Sequence, residues 1–287
     1  MSRIVLTGAG GSLAADVIPA LLEAGHEVVA VDLAPPNARP GLVPFRADVT
    51  DLAEMRAAIA GADALVHLAG IPLEDDPDRL WDVNVRGTQV ALEAARLIGV
   101  RRAVLASSIH AVGFVPAPDV ATGLDLTHVP EEDRVPDDVA VRPNTFYGAS
   151  KAAVEALGSM YADRWRLEVV LLRIASRQAE PTGRRHLRTW LSPADAGRLV
   201  LASVAAQVVG CTTVFGVSAN SGRYVSSTGA ARIGFTPQDD AEEYRDRVLE
   251  TPVEHDQSAG WLHLLGGEFC SPEPPRASGS TTYPEAQ

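Results

Sequence analysis

Cysteine is almost absent from the 287-residue sequence, which contains only Cys211 and Cys270. The two cysteines lie far apart and in no spacing typical of metal ligands, so the sequence predicts neither a disulfide framework nor a metal site. Long apolar runs are also absent, because none approaches the roughly 20 residues that cross a bilayer. The N-terminal residues MSRIVLTGAG lack the three zones of a signal peptide. We therefore expect a soluble cytoplasmic protein with no membrane partner.

Positive charge is scarce as well. The chain has 25 Lys and Arg against 37 Asp and Glu, which gives a formal net charge of −12 and a pI near 5.0. Such a balance argues against nucleic acid as a partner. A small anionic substrate is not excluded, since local arginines can outweigh the global charge. Hydrophobic residues make up 46% of the chain, enough to bury a large core.

Short β-branched runs alternate with longer helical patterns along most of the chain. The patterns predict strands at 4–6, 28–31, 43–46, 64–68, 103–106 and 169–173, and helices at 13–24, 51–60, 79–97, 147–165, 192–206 and 239–249. Alternation of this kind is typical of a parallel sheet covered by helices on both faces. The fold class predicted is therefore α/β, a doubly wound parallel-sheet Rossmann fold.

Two stretches break this rhythm. Residues 115–143 combine prolines with an acidic run and predict an acidic loop, and residues 271–287 are rich in Pro, Ser, Thr and Glu and predict a flexible tail. We expect one dinucleotide-binding domain over 1–270, with a small C-terminal substrate-binding lobe built mainly from 176–265.

A glycine-rich turn lies between the first predicted strand and the first predicted helix. Gly8 and Gly11 would allow the sharp turn and the close approach of a pyrophosphate, whose charge the helix N-terminus favours. Ala14 stands where a third glycine is usual, and alanine is an accepted variant there. A glycine pattern alone is weak evidence, but its place between strand and helix favours dinucleotide binding.

Acidic and small residues follow the next strands. Asp32 ends the second strand, where a carboxylate binds ribose hydroxyls and repels a 2′-phosphate, so NAD is favoured over NADP. Asp48-Val49 is predicted to meet the adenine, and Leu68-Ala69-Gly70 would leave room for the cofactor. Each of these latter stretches could equally be a plain turn.

Tyr147 and Lys151 lie four residues apart at the start of a predicted helix, so both side chains project from one face. A tyrosine can act as a general base only if its pKa is drawn down toward the working pH, and a nearby ammonium does this. Ser107 or Ser108, at the end of the fifth strand, would hold the substrate oxygen there, because ligands of open parallel sheets bind at that edge.

The sequence resembles the extended short-chain dehydrogenase/reductase family, also called the epimerase/dehydratase family. The resemblance spans roughly residues 3–265 and rests on TGAGGSLA, HLAG at 67–70, NVRGT at 84–88, ASS at 106–108 and YGASK at 147–151. Within that family, the segments RIAS, RTWLSPAD and VFGVSAN are similar to those of the branch that oxidises hexuronic acids. The resemblance implies NAD-dependent oxidation of the anomeric hydroxyl of galacturonate or glucuronate to an aldarolactone. It also implies a homo-oligomer.

The resemblance also implies roles for particular residues. Tyr147 would be the general base, Lys151 its partner and Ser108 the donor to the substrate oxygen. His110 and Ser176 would touch sugar hydroxyls, and Arg185 would bind the substrate carboxylate. The full substrate set is Ser108, Ile109, His110, Tyr147, Ser176 and Arg185. The cofactor set is Gly8, Gly11, Ser12, Leu13, Asp32, Leu33, Asp48, Val49, Leu68, Ala69, Gly70, Asn84, Ser107, Tyr147, Lys151 and Ile174.

Three features depart from the family pattern. Ile109 replaces a polar amide, and Pro72 stands where a substrate-binding serine is expected, so two hydrogen-bonding side chains are missing from a polyol site. The 38 residues between Ser108 and Tyr147 form a long connection. Its acidic residues, expected near the mouth of the site, are Glu131, Glu132, Asp133, Asp137 and Asp138.

Two other functions fit the same motifs. An epimerase or dehydratase would keep its NAD bound and recycle it, releasing no NADH. A dinucleotide-binding sensor without turnover would share the fold but not the chemistry.

Overall fold

The molecule is built around a central parallel β-sheet. The structure, a computed structural model, describes residues 1–118, 128–207, 209–250 and 260–276. The strands in these ranges are β1 (Arg3–Thr7), β2 (Glu27–Asp32), β3 (Leu42–Arg46), β4 (Ala64–His67), β5 (Arg102–Ser108), β6 (Glu168–Ile174), β7 (Ser176–Arg177), β8 (Trp190–Leu191) and β9 (Cys211–Gly216). Seven of them form the sheet, in the order β3-β2-β1-β4-β5-β6-β9, while β7 and β8 pair separately.

Helices cover both faces of the sheet, as the sequence predicted. They are α1 (Ser12–Glu23), α2 (Leu52–Ile59), α3 (Pro77–Leu80), α4 (Gly87–Ile98), α5 (Phe146–Trp165), α6 (His186–Thr189), α7 (Pro193–Ala205), α8 (Thr228–Ile233) and α9 (Arg245–Glu250). Side chains of α1 and α7 pack on one face, and those of α2, α4 and α5 pack on the other. The strands are therefore apolar on both sides, which explains their continuous hydrophobic runs.

Polar side chains fix where the helices begin. The Asp51 carboxylate accepts hydrogen bonds from the backbone N–H groups of Ala53 and Glu54 at the start of α2. Ser192 caps α7 in the same way, and Pro193 takes its first position. Both caps lie at the first residues of the predicted helices, 51–60 and 192–206.

The strand order reverses between β1 and β4, which lie side by side with Thr7 opposite His67. The chain leaves these two strands in opposite directions, so a crevice opens at their carboxyl ends. Gly8 and the segment 68–70 border this crevice. The fold therefore places the predicted cofactor residues at one edge.

Several elements differ from the prediction. Strand β9 was not predicted, although its sequence CTTVFG is β-branched and aromatic, and neither were the short elements β7, β8, α6 and α8. The predicted helix at 239–249 is a 3₁₀ turn (Ala241–Tyr244) followed by α9, and the predicted helix at 79–97 begins earlier and contains a π-helical turn at Trp81–Arg86. For these two helices the periodicity indicated a helix but not its hydrogen-bonding register.

A separate hydrophobic cluster, which we call the lobe, is made by residues of 109–139 with residues of 215–225 and Leu265, so many of its members come from the long connection and lie outside 176–265. Two acidic residues of that connection bind the segment 215–229. Glu131 accepts hydrogen bonds from Ser226 and Ser227, and Asp137 accepts from the backbone of Phe215 and Gly229. The carboxylate oxygens of both acids are thus used by the chain segment 215–229.

The first part of the predicted tail, up to Arg276, contacts the folded protein. The backbone of Arg276 pairs with that of Glu74 in an isolated parallel bridge. Residues 277–287, the rest of the predicted tail, lie outside the described residues. In the part of the chain that the structure describes, no helix has the length and apolar character needed to cross a membrane.

Candidate active site

The glycine turn after β1 packs tightly against the end of β4. Gly8 has a φ of +72°, and a Cβ at this position would lie 2.7 Å from the amide nitrogen of Ala69. Only glycine meets both conditions. Helix α1 then starts at Ser12 with no side-chain cap and no acidic residue in its first turn. Its free N–H groups and its dipole suit an anion such as a pyrophosphate.

Asp32 lies beside this turn at the end of β2. Its carboxylate accepts hydrogen bonds of 3.0 Å from the N–H groups of both Gly10 and Ala34. The next residue, Leu33, is 61% exposed, which is high for a large apolar side chain and is consistent with cover by a bound ligand. Asp48 accepts from the backbone and hydroxyl of Thr50, and these bonds lower the pKa of its carboxyl.

The turn after β4 packs closely against Asn84 and Lys151. A Cβ on Gly70 would come within 3.0 Å of Asn84 Oδ1 and 3.4 Å of Lys151 Nζ, so a side chain at this position would crowd both groups. Asn84 accepts from the N–H of Ile71, and its amide nitrogen donates to the Ile71 carbonyl and to Ser150. The Asn84 side chain thus fixes the turn at the cofactor crevice. The glycine turn, the uncapped start of α1 and Asp32 together fit NAD.

Asp32→Asn should change the choice of cofactor. The amide keeps the shape of the side chain but removes the charge that repels a 2′-phosphate and weakens the bonds to Gly10 and Ala34. We expect the Kd for NAD to rise about tenfold, as for one lost charged hydrogen bond, and the Kd for NADP to fall. Titration calorimetry with both dinucleotides measures this. An unchanged NAD/NADP ratio would contradict the role of Asp32.

Helix α5 places the predicted catalytic pair one turn apart. Its first turn is capped by the Thr145 hydroxyl and by Glu74, whose Oε2 accepts from the N–H of Tyr147 at 2.8 Å. The Tyr147 and Lys151 side chains are both buried, and Lys151 Nζ lies 5.8 Å from the Tyr147 ring centroid. Nζ also donates to the carbonyl of Ala106 at 2.8 Å, which holds the ammonium at the end of β5.

Burial shifts both groups of this pair away from their charged forms. It raises the pKa of the Tyr147 phenol, with the Ser108 hydroxyl acting in the opposite direction, and it lowers the pKa of Lys151 to about 8. Each charge alone is therefore disfavoured, but a phenolate and an ammonium in the same site stabilise each other. The arrangement suits a tyrosine that gives up and takes back a proton.

Lys151→Met should change how the free energy of unfolding depends on pH. The pKa of Lys151 is lower in the folded protein than in the unfolded chain, so the unfolded chain binds more protons between about pH 8 and 10.5. Over that range, the stability of the wild type should rise relative to the variant by on the order of 3 kcal/mol. Urea unfolding at several pH values measures the difference. A constant difference would contradict the buried-lysine account.

His67 is a neighbour of this pair that the sequence reasoning missed. Its Nδ1 is 2.8 Å from the Thr7 hydroxyl, and its Nε2 is buried without a hydrogen-bond partner among the described residues. Burial and the nearby Lys151 lower the pKa of His67 to about 3, so the ring is neutral and adds no second positive charge. The quoted motif HLAG contains His67, but only the structure shows its proximity to Lys151.

His110 and Arg185 bring polar groups to the other side of Tyr147. The His110 ring lies edge-on to the Tyr147 ring, with centroids 5.9 Å apart, and stacks on Phe269 at 4.2 Å. The Ser108 hydroxyl accepts from the N–H of His110 at 3.2 Å. Burial, aided by Arg185, lowers the pKa of His110 to about 3, so this ring too is neutral.

The Arg185 guanidinium is anchored by neutral groups. Nη1 donates to the Ser176 hydroxyl at 2.9 Å, and Nη2 donates to the carbonyl of Leu265. The Tyr224 hydroxyl lies within hydrogen-bonding reach of the same guanidinium. The Thr189 hydroxyl donates its one proton to the Arg185 carbonyl. In the 2.8 Å contact between the two hydroxyls, Ser176 is therefore the donor and Thr189 the acceptor. Ser176, predicted to touch a sugar hydroxyl, has one lone pair left for that role and mainly holds Arg185.

The side chains of two predicted site residues, Ile109 and Ser107, make their contacts elsewhere in the protein. The Ile109 side chain is 1% exposed and belongs to the hydrophobic cluster of the lobe, so it is not a substrate-facing apolar group. The Ser107 hydroxyl donates to the buried Glu155 at 2.6 Å, away from the cofactor crevice. Pro72 is exposed, and Ile174 ends β6 beside Ser108.

The residues that sequence reasoning missed come mostly from the C-terminal part of the chain. Phe269, Cys270 and Leu265 reach the site because the segment 260–276 returns to it, with the N–H groups of Leu265 and Gly266 bonded to the carbonyls of Val115 and Gly113. The paired glycines of LLGGEFC were the only signal of a tight turn there. Asn144 and Tyr224 also lie at the site and had no predicted role.

Comparisons with known proteins agree with this geometry. Residues 4–209 match the NAD dependent epimerase/dehydratase family. Uronate dehydrogenase of Agrobacterium fabrum is 35% identical over 77% of this chain and 78% of its own, and NAD-dependent glucose-6-phosphate dehydrogenase of Haloferax volcanii is 33% identical over 84% and 95%. A crystal structure of mutant uronate dehydrogenase from Agrobacterium tumefaciens, complexed with NAD, superposes with a TM-score of 0.83 at 33% identity, covering 94% of this chain and 97% of that one.

The fold and these comparisons define a dinucleotide-dependent oxidoreductase of the short-chain dehydrogenase/reductase type. The chain belongs to the NAD dependent epimerase/dehydratase family. The predictions of the fold class, the family and the cofactor NAD are thereby confirmed.

Proposed function

We propose that the protein oxidises the anomeric hydroxyl of a hexuronic acid, galacturonate or glucuronate, with NAD and yields the aldarolactone. The roles of the individual site residues are part of this proposal. Its main support is Arg185, together with the similarity to uronate dehydrogenases over most of the chain.

Arg185 carries the proposal because, unlike Arg184, its half-buried guanidinium is held in place by neutral groups, and it has no carboxylate partner among the described residues. The two Nη nitrogens carry four N–H groups, and Ser176, Leu265 and the neighbouring Tyr224 engage three at most, so at least one remains for a substrate carboxylate. A buried charge without a counter-ion is costly, and a carboxylate ligand would remove that cost. A neutral sugar would not.

The remaining residues would divide the reaction between them. NAD, when bound, supplies the acceptor for the hydride that leaves the anomeric carbon. Tyr147 takes the proton of the anomeric hydroxyl, and Lys151 stabilises the phenolate before that transfer. Ser108 holds the reacting oxygen beside the Tyr147 hydroxyl, and His110 binds another oxygen of the sugar.

Arg185→Met should separate acidic from neutral substrates. We expect the KM for galacturonate to rise about 30-fold to 100-fold, because a charge-assisted bond to a carboxylate contributes roughly 2–3 kcal/mol. The KM for NAD should stay the same, since Arg185 does not face the cofactor crevice. Steady-state kinetics of NADH formation measure both values.

Arg184→Met is the matched control, since it removes the adjacent cation, which makes no hydrogen bond or ion pair among the described residues. Its KM for galacturonate should change by less than about threefold. Equal effects of the two variants would show that general charge, and not the anchored guanidinium, recognises the substrate. A wild-type enzyme that oxidises neutral aldoses as well as uronates would contradict the proposed substrate class.

We also infer a homo-oligomer, on the basis of the family resemblance. Exposed apolar side chains on α4 and α5, including Leu97, Met160 and Trp165 at 38–45% exposure, support it. Light scattering of the purified chain measures the state directly, and a monomer at micromolar concentration would overturn the inference.

A further inference from the structure

The Asn144 side chain links His110 to the C-terminal segment. Its amide nitrogen Nδ2 lies 3.3 Å from His110 Nδ1 and 3.3 Å from Cys270 Sγ. The Cys270 thiol donates in turn to the carbonyl of Gly113 at 3.2 Å. Burial raises the pKa of this thiol, so its proton stays in place for that bond.

The chemistry of an amide nitrogen decides where the His110 proton lies. In this structure the amide nitrogen is the atom turned toward His110, and because Nδ2 only donates, Nδ1 of His110 is the acceptor in this orientation. A neutral imidazole has one proton, which is then on Nε2. Nε2 has no hydrogen-bond partner among the described residues and is not sealed from solvent, so its N–H is available to a ligand.

The amide itself is held rigidly. Cβ atoms added at Gly113 or Gly266 would collide with the Asn144 amide, and one at Gly148 would lie 3.0 Å from its Oδ1. Backbone from three different segments therefore encloses the group. This packing leaves little room for the amide plane to tilt away from His110.

We propose that Asn144 is the positioning residue that fixes His110 as the Nε2–H tautomer, so that His110 meets the sugar as a hydrogen-bond donor. The inference rests on the proposed function for the identity of the ligand, but the tautomer is a property of the protein alone. With this tautomer, His110 can bind a substrate oxygen that has a free lone pair, such as a hydroxyl or ring oxygen. His110 cannot bind a substrate group that only donates hydrogen bonds. Cys270 accepts the second Nδ2 hydrogen, so the orientation of the Asn144 amide also depends on the segment 260–276.

The tautomer can be read from the nitrogen chemical shifts of the histidine ring. We would label the full chain with ¹⁵N-histidine and record long-range ¹H–¹⁵N correlations at pH 7 without substrate. The chain has 7 histidines, and the spectrum of His110→Gln identifies the signals of His110. We expect Nδ1 at the position of an unprotonated nitrogen and Nε2 at that of a protonated one. A protonated Nδ1 in the wild type would overturn the proposal.

Asn144→Asp provides the kinetic test, because the carboxylate has the same shape but only accepts. His110 Nδ1 should then be protonated, and the KM for galacturonate should rise about tenfold through the lost donor, with the KM for NAD unchanged. Asn37→Asp, the same exchange at an exposed position, should change neither value. A spectrum of Asn144→Asp identical to the wild type, or an equal rise in both KM values, would overturn the proposal.

The two proposals fail in different ways. If uronates are not oxidised but the wild-type spectrum shows Nε2–H, only the substrate assignment is wrong. If uronates are oxidised and Nδ1 carries the proton, Asn144 does not set the tautomer. The wild-type spectrum decides this point even if Asn144→Asp does not fold.

Discussion

Tyr147→Phe should lower kcat by about a thousandfold or more, because it removes the only hydroxyl proposed to take the substrate proton, and general base catalysis contributes 10²- to 10⁴-fold. The benzyl side chain and the buried environment stay, so the Kd for NAD should be unchanged. Stopped assays of NADH formation at saturating galacturonate measure the loss, and fluorescence titration measures the binding.

Tyr161→Phe is the matched control, because it makes the same exchange at a buried tyrosine of the same helix. The Tyr161 hydroxyl bonds to Glu93 at 3.1 Å and belongs to the cluster between α4 and β6, away from Lys151. Its kcat should stay within about twofold of the wild type, and its stability should fall by about 1 kcal/mol for the lost hydrogen bond. A Tyr147→Phe enzyme with more than a tenth of wild-type kcat would contradict the assignment of the base.

Glu155→Gln should have the largest effect on stability. Glu155 accepts two bonds of 2.9 Å from Arg173 and one of 2.6 Å from Ser107, and the side chains of the ion pair are only 4% and 7% exposed. Removing the negative charge leaves the Arg173 guanidinium buried without a counter-ion, which costs on the order of 3 kcal/mol or more. Thermal and urea unfolding measure this loss.

The exposed ion pair between Arg86 and Asp82 provides the control for Glu155→Gln. Its nitrogen–oxygen distance is 3.0 Å, close to that of the buried pair, but both side chains are more than half exposed. Asp82→Asn should therefore change the free energy of unfolding by less than about 1 kcal/mol. If the two variants lost equal stability, burial would not be the reason that Glu155 matters. Replacing Glu155 and Arg173 together with Met should recover part of the loss.

The sequence was sufficient for the parts of the molecule that depend on local pattern. The glycine turn, Asp32 at the end of β2 and the spacing of Tyr147 and Lys151 each lie within one strand–turn–helix unit, where periodicity and capping decide the geometry. The starts of the helices near Asp51 and Ser192 were found for the same reason.

The parts that depend on distant contacts could not be predicted in this way. Ser107 and Ser108 are adjacent in the sequence, but strand alternation directs Ser107 to the buried Glu155 and Ser108 to Tyr147. Ile109 was interpreted as a departure within the pocket, whereas its side chain packs in the lobe. Phe269 reaches His110, and Cys270 reaches Asn144, only because the segment 260–276 returns to the site, and no local pattern indicates that.

This protein should release NADH while it oxidises a uronic acid. The most direct test is to incubate the wild type with a small excess of galacturonate or glucuronate and limiting NAD, and to follow NADH and lactone together. We predict one NADH for each lactone formed, over many turnovers per protein. Epimerised sugar without free NADH would indicate a bound, recycled cofactor, and no change in either compound from a folded protein that binds NAD would contradict catalysis on this substrate class.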